Sequence, residues 1–267
     1  MIEISVLPSI VVFIFGAIVG SFLNVCIHRL PAEESLVWPP SHCPSCKTPI
    51  HFYDNIPLVS YFFLLGRCRS CKVKISPRYF MVELITAVMA VALLYVFGLG
   101  FAFFFSFLLM AALVVIAFID LDARIVPDII SLPGIVLGLI FALVNAWIVL
   151  EPSAVIPSPI SSFLGIILGG GLLLGVAWGY QLLSGVEGMG GGDVKLLAMI
   201  GAFLGWPSVP VTLFFASLGG SVVGLLLMLT KGVGGKHALP FAPFLCLGAI
   251  FHLFFGQHII SFYTSLH

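Results

Sequence analysis

Two groups of residues in this 267-residue chain have the type and spacing to do chemistry. The first is a set of four cysteines, Cys43-Pro44-Ser45-Cys46 and Cys68-Arg69-Ser70-Cys71, with 21 residues between the pairs. Each CxxC turn can present two sulfurs to one ion, and four thiolates suit tetrahedral zinc. The spacing is close to that of a four-cysteine zinc ribbon. Two structural disulfides are the competing reading, which a reducing cytosolic setting disfavours. A redox CxxC is a third, but two copies at this spacing argue for metal. His42 adjoins the first knuckle and is a further ligand in a variant scheme. Cys26 and Cys246 lie in apolar stretches and read as small packing residues.

The second group is acidic. Asp120, Asp122 and Asp128 fall within Ile119-Asp120-Leu121-Asp122-Ala123-Arg124-Ile125-Val126-Pro127-Asp128, and Asp193 follows Gly190-Gly191-Gly192 and precedes Val194-Lys195. Charges at a membrane border are costly unless paired or set in a wet cavity. Asp128, just after Pro127, suits a helix N-terminus, and Asp122 reads equally as a solvated residue or a partner of Arg124. Asp120 and Asp193 are harder to explain in that way. Asp120 directly follows an apolar run, and the glycines before Asp193 allow a close backbone approach. Two carboxylates sharing a site can hold one proton between them. One can then act as base on a water while the other, protonated, polarises a carbonyl. Sequence alone does not bring the two side chains together, and proton-coupled transporters place acids similarly.

The elements that must position these groups are membrane helices. Hydrophobic residues make up 61% of the chain and charged ones 8%, with mean hydropathy +1.22; a soluble domain carries about 25% charged residues. A soluble fold and a disordered chain are both excluded. Zero net charge gives no basic field for nucleic acid. The fold class expected is an all-α polytopic membrane protein with about eight transmembrane segments and a small cytoplasmic four-cysteine, zinc-ribbon-like loop domain. The segments run roughly over 6–27, 79–97, 101–119, 129–149, 161–183, 194–205, 208–230 and 240–260, each to be compared with the ~20 residues that span a bilayer. The sixth is short and is either a half-length helix or one continuous with its neighbour through a kink at Gly205-Trp206-Pro207. The first lacks a basic n-region and a small-residue cleavage site, so it does not read as a signal peptide.

Seven of the eleven Lys and Arg residues lie in 28–78, and the others are Arg124, Lys195, Lys231 and Lys236. With eight segments, all of them fall on or at the edge of one face, which the positive-inside rule makes cytoplasmic. The Pro-rich link from Glu151 to Pro159 falls on the other face, as do both termini. The expected organisation is a first segment over 1–27, a loop domain over 28–78 and a membrane-embedded catalytic domain over 79–267. Small residues at four-residue spacing (Gly16/Gly20, Gly134/Gly138, Gly165/Gly169, Gly171/Gly175/Gly179, Gly220/Gly224) read as helix-packing positions.

The same residues carry a resemblance. Gly20-Ser21-Phe22-Leu23-Asn24-Val25, His28-Arg29-Leu30-Pro31, the two CxxC pairs, Asn55-Ile56-Pro57-Leu58-Val59-Ser60-Tyr61, Arg78-Tyr79 and Val82-Glu83-Leu84 stand in order. They are followed by the Asp120–Asp128 block, Gly190-x-Gly192-Asp193-x-Lys195-Leu196-Leu197 and Pro240-Phe241-Ala242-Pro243-Phe244-Leu245. Nearly end to end, the chain resembles the type IV prepilin peptidases (leader peptidase and N-methyltransferase). The resemblance implies an inner-membrane aspartic endopeptidase. Its substrates are type IV prepilins or type II secretion pseudopilins, cut at the cytoplasmic face. It implies Asp120 and Asp193 as the catalytic pair, and S-adenosylmethionine as donor for methylating the new N-terminus, typically Phe.

Around the pair, Lys195, Asp122, Asp128, Gly190 and Gly192 are the supporting candidates, and the stretch from Gly188 to Gly192 could lie beside the substrate backbone. Lys195 either pairs with an acid or snorkels at the interface. Asn24 and Glu83 are the candidates near a methyl-donor site, for which no glycine-rich methyltransferase motif is visible. The chain departs from the family at Phe80, where Pro often follows Arg-Tyr. The bilayer is the remaining partner. The competing function is a proton-coupled transporter with Asp120 and Asp193 as a relay, which would call for inverted repeats with broken helices. A membrane adaptor using the cysteine loop would leave the acids without a role.

Overall fold

The computed structural model describes residues 6–149, 155–185, 190–231 and 239–265. Gly188, part of the Glu151–Pro159 link, Lys236 and the chain ends therefore lie outside the described residues. The structure is all-helical: α1 (Val6–Arg29), the short α2 (Val59–Phe63), α3 (Pro77–Phe97), α4 (Phe101–Ala123), α5 (Asp128–Val144), α6 (Pro159–Ser184), α7 (Gly191–Leu204), α8 (Ser208–Lys231) and α9 (Ala242–Ser265). No strand occurs among the described residues. Among the described residues, seven helices are long and apolar enough to cross a membrane. The exception among the eight expected segments is α7. Its 14 residues reach only about 21 Å at 1.5 Å per residue. It is a separate half-length helix: Gly205, at φ 78°, closes it, and α8 begins at Ser208.

The chain divides into two compact units, Met1–Phe103 and Phe104–His267. In the first, α1 packs along α3. The approach is close because Gly16 and Gly20 carry no Cβ. One added at Gly16 would stand 2.7 Å from the Ala87 Cα, and one at Gly20 2.7 Å from the Glu83 Cα. The loop between these helices holds the cysteines.

In the second unit α7 is the hub, packed against α5, α6, α8 and α9. Every residue from Leu196 to Leu204 is buried, as expected of a helix that is apolar on all sides. Phe203 meets Phe105 of α4 and Phe141 of α5, with ring centroids 5.1 and 6.5 Å apart. Gly165 crosses Gly201 backbone to backbone, Gly138 faces Ala202 and Gly134 faces Met199. Most of the small-residue pairs are thus real contacts. Gly171, Gly175 and Gly179 are not: among the described residues nothing lies within 4 Å of a Cβ built there. Periodicity marks a face of a helix but not whether a neighbour covers it.

Candidate active site

The four cysteines of the first unit converge. All four sulfurs lie within 4.8 Å of one another, with Cys43 and Cys71 3.8 Å apart and Cys46 and Cys68 4.0 Å apart. A disulfide needs about 2.05 Å, whereas a tetrahedron with metal–sulfur bonds of about 2.3 Å has edges of about 3.8 Å. The arrangement fits a tetrathiolate ion site.

The two halves are built alike. Cys43 N–H donates to the Thr48 carbonyl and Lys47 N–H to Cys43; Cys68 N–H donates to Val73 and Lys72 N–H to Cys68. Each turn places the residue after its second cysteine in the left-handed region, Lys47 at φ 57° and Lys72 at φ 61°. Lysine is an unusual occupant of that conformation, and the CxxC pattern gives no warning of it. Hydrogen bonds at Thr48 lower the Cys46 thiol to about 6. The Val73 N–H pulls the Cys71 thiol down, but burial and the three other sulfurs together carry it up to about 11. Four thiolates repel one another unless a cation joins them. His42 is outside the cluster, its Nδ1 3.2 Å from the Pro40 carbonyl.

The same loop walls a cavity of about 920 Å³ wholly within the first unit. His51 and Tyr53 stack at 5.2 Å on one side. Arg69 lies over Tyr53 and donates twice to Asp54, at 2.7 and 2.5 Å. Arg69 thereby holds the Asp54 carboxyl below its usual range. Asn24 and Glu83 also line the cavity. The buried Asn24 Nδ2 donates to the Tyr79 carbonyl at 2.9 Å, and Glu83 Oε2 accepts from Leu58 N–H at 2.8 Å.

The acids lie in the second unit. Asp120, at the C-terminal end of α4, is 6% exposed. Its Oδ2 accepts from the Ala242 N–H at 3.2 Å, so the first residue of α9 turns the positive end of that helix toward it. The donor is a backbone group, invisible to a search for reactive side chains. Asp193, in the first turn of α7, lies within electrostatic range of Asp120. Cys246, 2% exposed, lies within electrostatic range of both. The thiol read as a packing residue therefore also lies near the acids.

The supporting candidates separate. Lys195 Nζ pairs with Asp128, at 2.7 and 2.8 Å to its two carboxylate oxygens, which ties the start of α7 to the start of α5. Asp122 is exposed. Among the described residues nothing lies within 4 Å of a Cβ built on Gly190 or Gly191, whereas one on Gly192 would stand 2.9 Å from that of Val126. The glycines thus serve two purposes, clearance and close packing. Two carboxylates within electrostatic range of each other can activate water against an amide.

Comparison with known proteins gives the family. The family model for the Bacterial Peptidase A24 N-terminal domain matches residues 14–97, and that for the Type IV leader peptidase family matches residues 107–225. A prepilin leader peptidase/N-methyltransferase from Aeromonas hydrophila is 36% identical, covering 95% of this chain and 93% of its own. The protein of that name from Pseudomonas aeruginosa is 34% identical over 94% and 92% of the two chains. No solved structure matches. With relatives this similar over nearly the whole length, and with both halves matched in order, the chain belongs to the type IV leader peptidase family.

Proposed function

We propose that this protein cuts the basic leader from type IV prepilins or type II secretion pseudopilins at the cytoplasmic face of the inner membrane. It then N-methylates the new N-terminus. What supports the cleavage reading is a buried Asp120 that accepts from the Ala242 N–H and lies within electrostatic range of Asp193. A prepilin has a basic leader followed by an apolar helix, so its scissile bond lies where such a pair, at helix ends, can reach it.

Asp120 and Asp193 share one proton. The ionised carboxylate takes a proton from water as its oxygen attacks the scissile carbonyl carbon, and the protonated one gives its proton to the carbonyl oxygen. On collapse the C–N bond breaks, the leaving amine takes a proton and the pair regains the one it began with. Gly190 and Gly191 leave room for the substrate backbone, and the Lys195–Asp128 pair holds α7 in register.

Zinc is the ion we assign to Cys43, Cys46, Cys68 and Cys71, where it would supply folding energy to a loop with few apolar residues. We assign the methyl donor, S-adenosylmethionine, to the cavity of the first unit. That cavity lies within the size range of small-molecule sites. His51 and Tyr53 suit a purine. The bound donor supplies an electrophilic methyl group.

The test is cleavage of a prepilin by purified protein in detergent, with Asp120→Asn and Asp193→Asn assayed separately. Each is expected to lose at least about 100-fold, the lower end of general acid–base contributions. Full cleavage by either variant refutes the dyad.

A further inference from the structure

Glu83 presents a carboxylate in an unusual setting. It lies on α3 where Gly20 lets α1 approach to backbone distance. It is part-buried, and its hydrogen-bond donors are the Leu58 N–H and the Ser21 hydroxyl, both neutral. Two arginines of the cavity lining are committed elsewhere. Arg29 donates to the Ser35 and Pro39 carbonyls, and Arg69 to Asp54. A half-buried carboxylate satisfied only by neutral donors still favours a cation.

The donor from the loop is held under strain. Leu58 has φ 63°, ψ −47°, and Val59 N–H donates to the Pro57 carbonyl at 2.7 Å. This is the positive-φ γ-turn, rare and strained even for glycine-free sequence contexts. Strain of this kind persists where the surroundings over-determine it, and it clusters at ligand sites. Here it aims a backbone N–H at Glu83.

We propose that the Glu83 end of the cavity is the acceptor subsite of methyl transfer and that it receives the N-terminal α-ammonium of the mature pilin. The inference rests on the methyltransferase reading above. Three acceptors lining the cavity could take the three N–H bonds of an ammonium: the Glu83 carboxylate, the Ser21 hydroxyl oxygen bonded to it, and Asn24 Oδ1. Because Asn24 Nδ2 is spent on the Tyr79 carbonyl, its amide is fixed with the oxygen as the remaining acceptor. S-adenosylmethionine carries an α-ammonium of its own, so what marks this end for the acceptor is the apolar surface beside Glu83, where Phe80 stands one turn earlier on α3. Tyr61 and Phe80, ring centroids 5.4 Å apart, line the same cavity and give an apolar flank for a first side chain such as Phe.

Glu83 also takes the proton that the ammonium must lose. The freed lone pair forms the N–CH₃ bond as the donor's C–S bond breaks, with that electron pair staying on sulfur. The product is a secondary ammonium and a neutral thioether, and Glu83 returns its proton to water.

The test uses the full-length protein in detergent with a mature pilin as acceptor and three readouts: methyl transfer, prepilin cleavage, and binding of S-adenosylhomocysteine by calorimetry. Glu83→Gln is expected to lower kcat for methyl transfer at least 100-fold, with cleavage and S-adenosylhomocysteine affinity within about threefold of the parent. Ser21→Ala is expected to raise the KM for the pilin with little change in kcat. Methyl transfer by Glu83→Gln at the parental rate overturns the proposal, as does loss of S-adenosylhomocysteine binding, which would put Glu83 in the donor site. If the parent protein itself transfers no methyl group and binds no S-adenosylhomocysteine, the underlying methyltransferase reading fails instead.

Discussion

Replacing Cys43 and Cys46 together with serine removes one knuckle's sulfurs, and the structure sets how much this should matter. Sulfur separations of 3.8 and 4.0 Å, and none above 4.8 Å, mean that closing on an ion requires movements of at most about 1 Å from the ideal edge. The site is therefore preorganised, and little binding energy is lost to rearrangement. Structural zinc sites bind with roughly 10–16 kcal/mol. If two of four ligands carry about half of that, the variant loses on the order of 10³–10⁶-fold in affinity. Elemental analysis after dialysis against a weak chelator should find one zinc per chain in the parent and essentially none in the variant. Limited proteolysis should then cut the variant faster between residues 33 and 76. The reasoning is refuted if the variant keeps a full equivalent of zinc. It is refuted equally if the parent holds no metal and its cysteines are joined as disulfides.

Further expectations concern the second unit. Ala242→Pro deletes the N–H that Asp120 accepts at a position where a helix start tolerates proline. A hydrogen bond to a charged group is worth about 1.5–3 kcal/mol, so prepilin cleavage should drop roughly 10- to 100-fold with helicity retained. Gly192→Ala drives a Cβ against Val126 and should depress cleavage. Adding Val126→Ala should restore much of it, and a double variant as poor as the single one argues against the contact. Lys195→Ala breaks a part-exposed pair with Asp128 that is not bonded to the dyad. Such pairs contribute up to about 1 kcal/mol, so a modest fall in thermal stability is expected and cleavage should change less than tenfold.

Much of this was legible from residue types alone, for reasons that differ by feature. Bilayer thickness forces long apolar runs, so the helices could be bounded to a few residues; the segment read over 101–119 is the core of α4, Phe101–Ala123. CxxC turns are local, so the metal-site reading needed only the two knuckles to meet, and the sulfurs do meet. Scarcity of charge singled out Asp120 and Asp193, since each ionised group at a membrane border needs a reason.

The remainder was decided by tertiary packing. Whether Gly175 touches a helix or nothing depends on a neighbour that its own spacing cannot report. Lys195 could pair with any of several acids until α5 and α7 were set side by side, which placed Asp128 within 2.7 Å. The backbone N–H of Ala242 became the partner of Asp120 only because α9 begins beside the end of α4, 122 residues away in sequence. The strained turn at Leu58, aimed at Glu83, likewise exists only because the loop folds back on α3. Residue type and local spacing determine which groups are able to react. Which of them share a proton, a metal or a cavity is set by helix contacts distant in sequence, because a side chain's charge and reach are local while its partners are not.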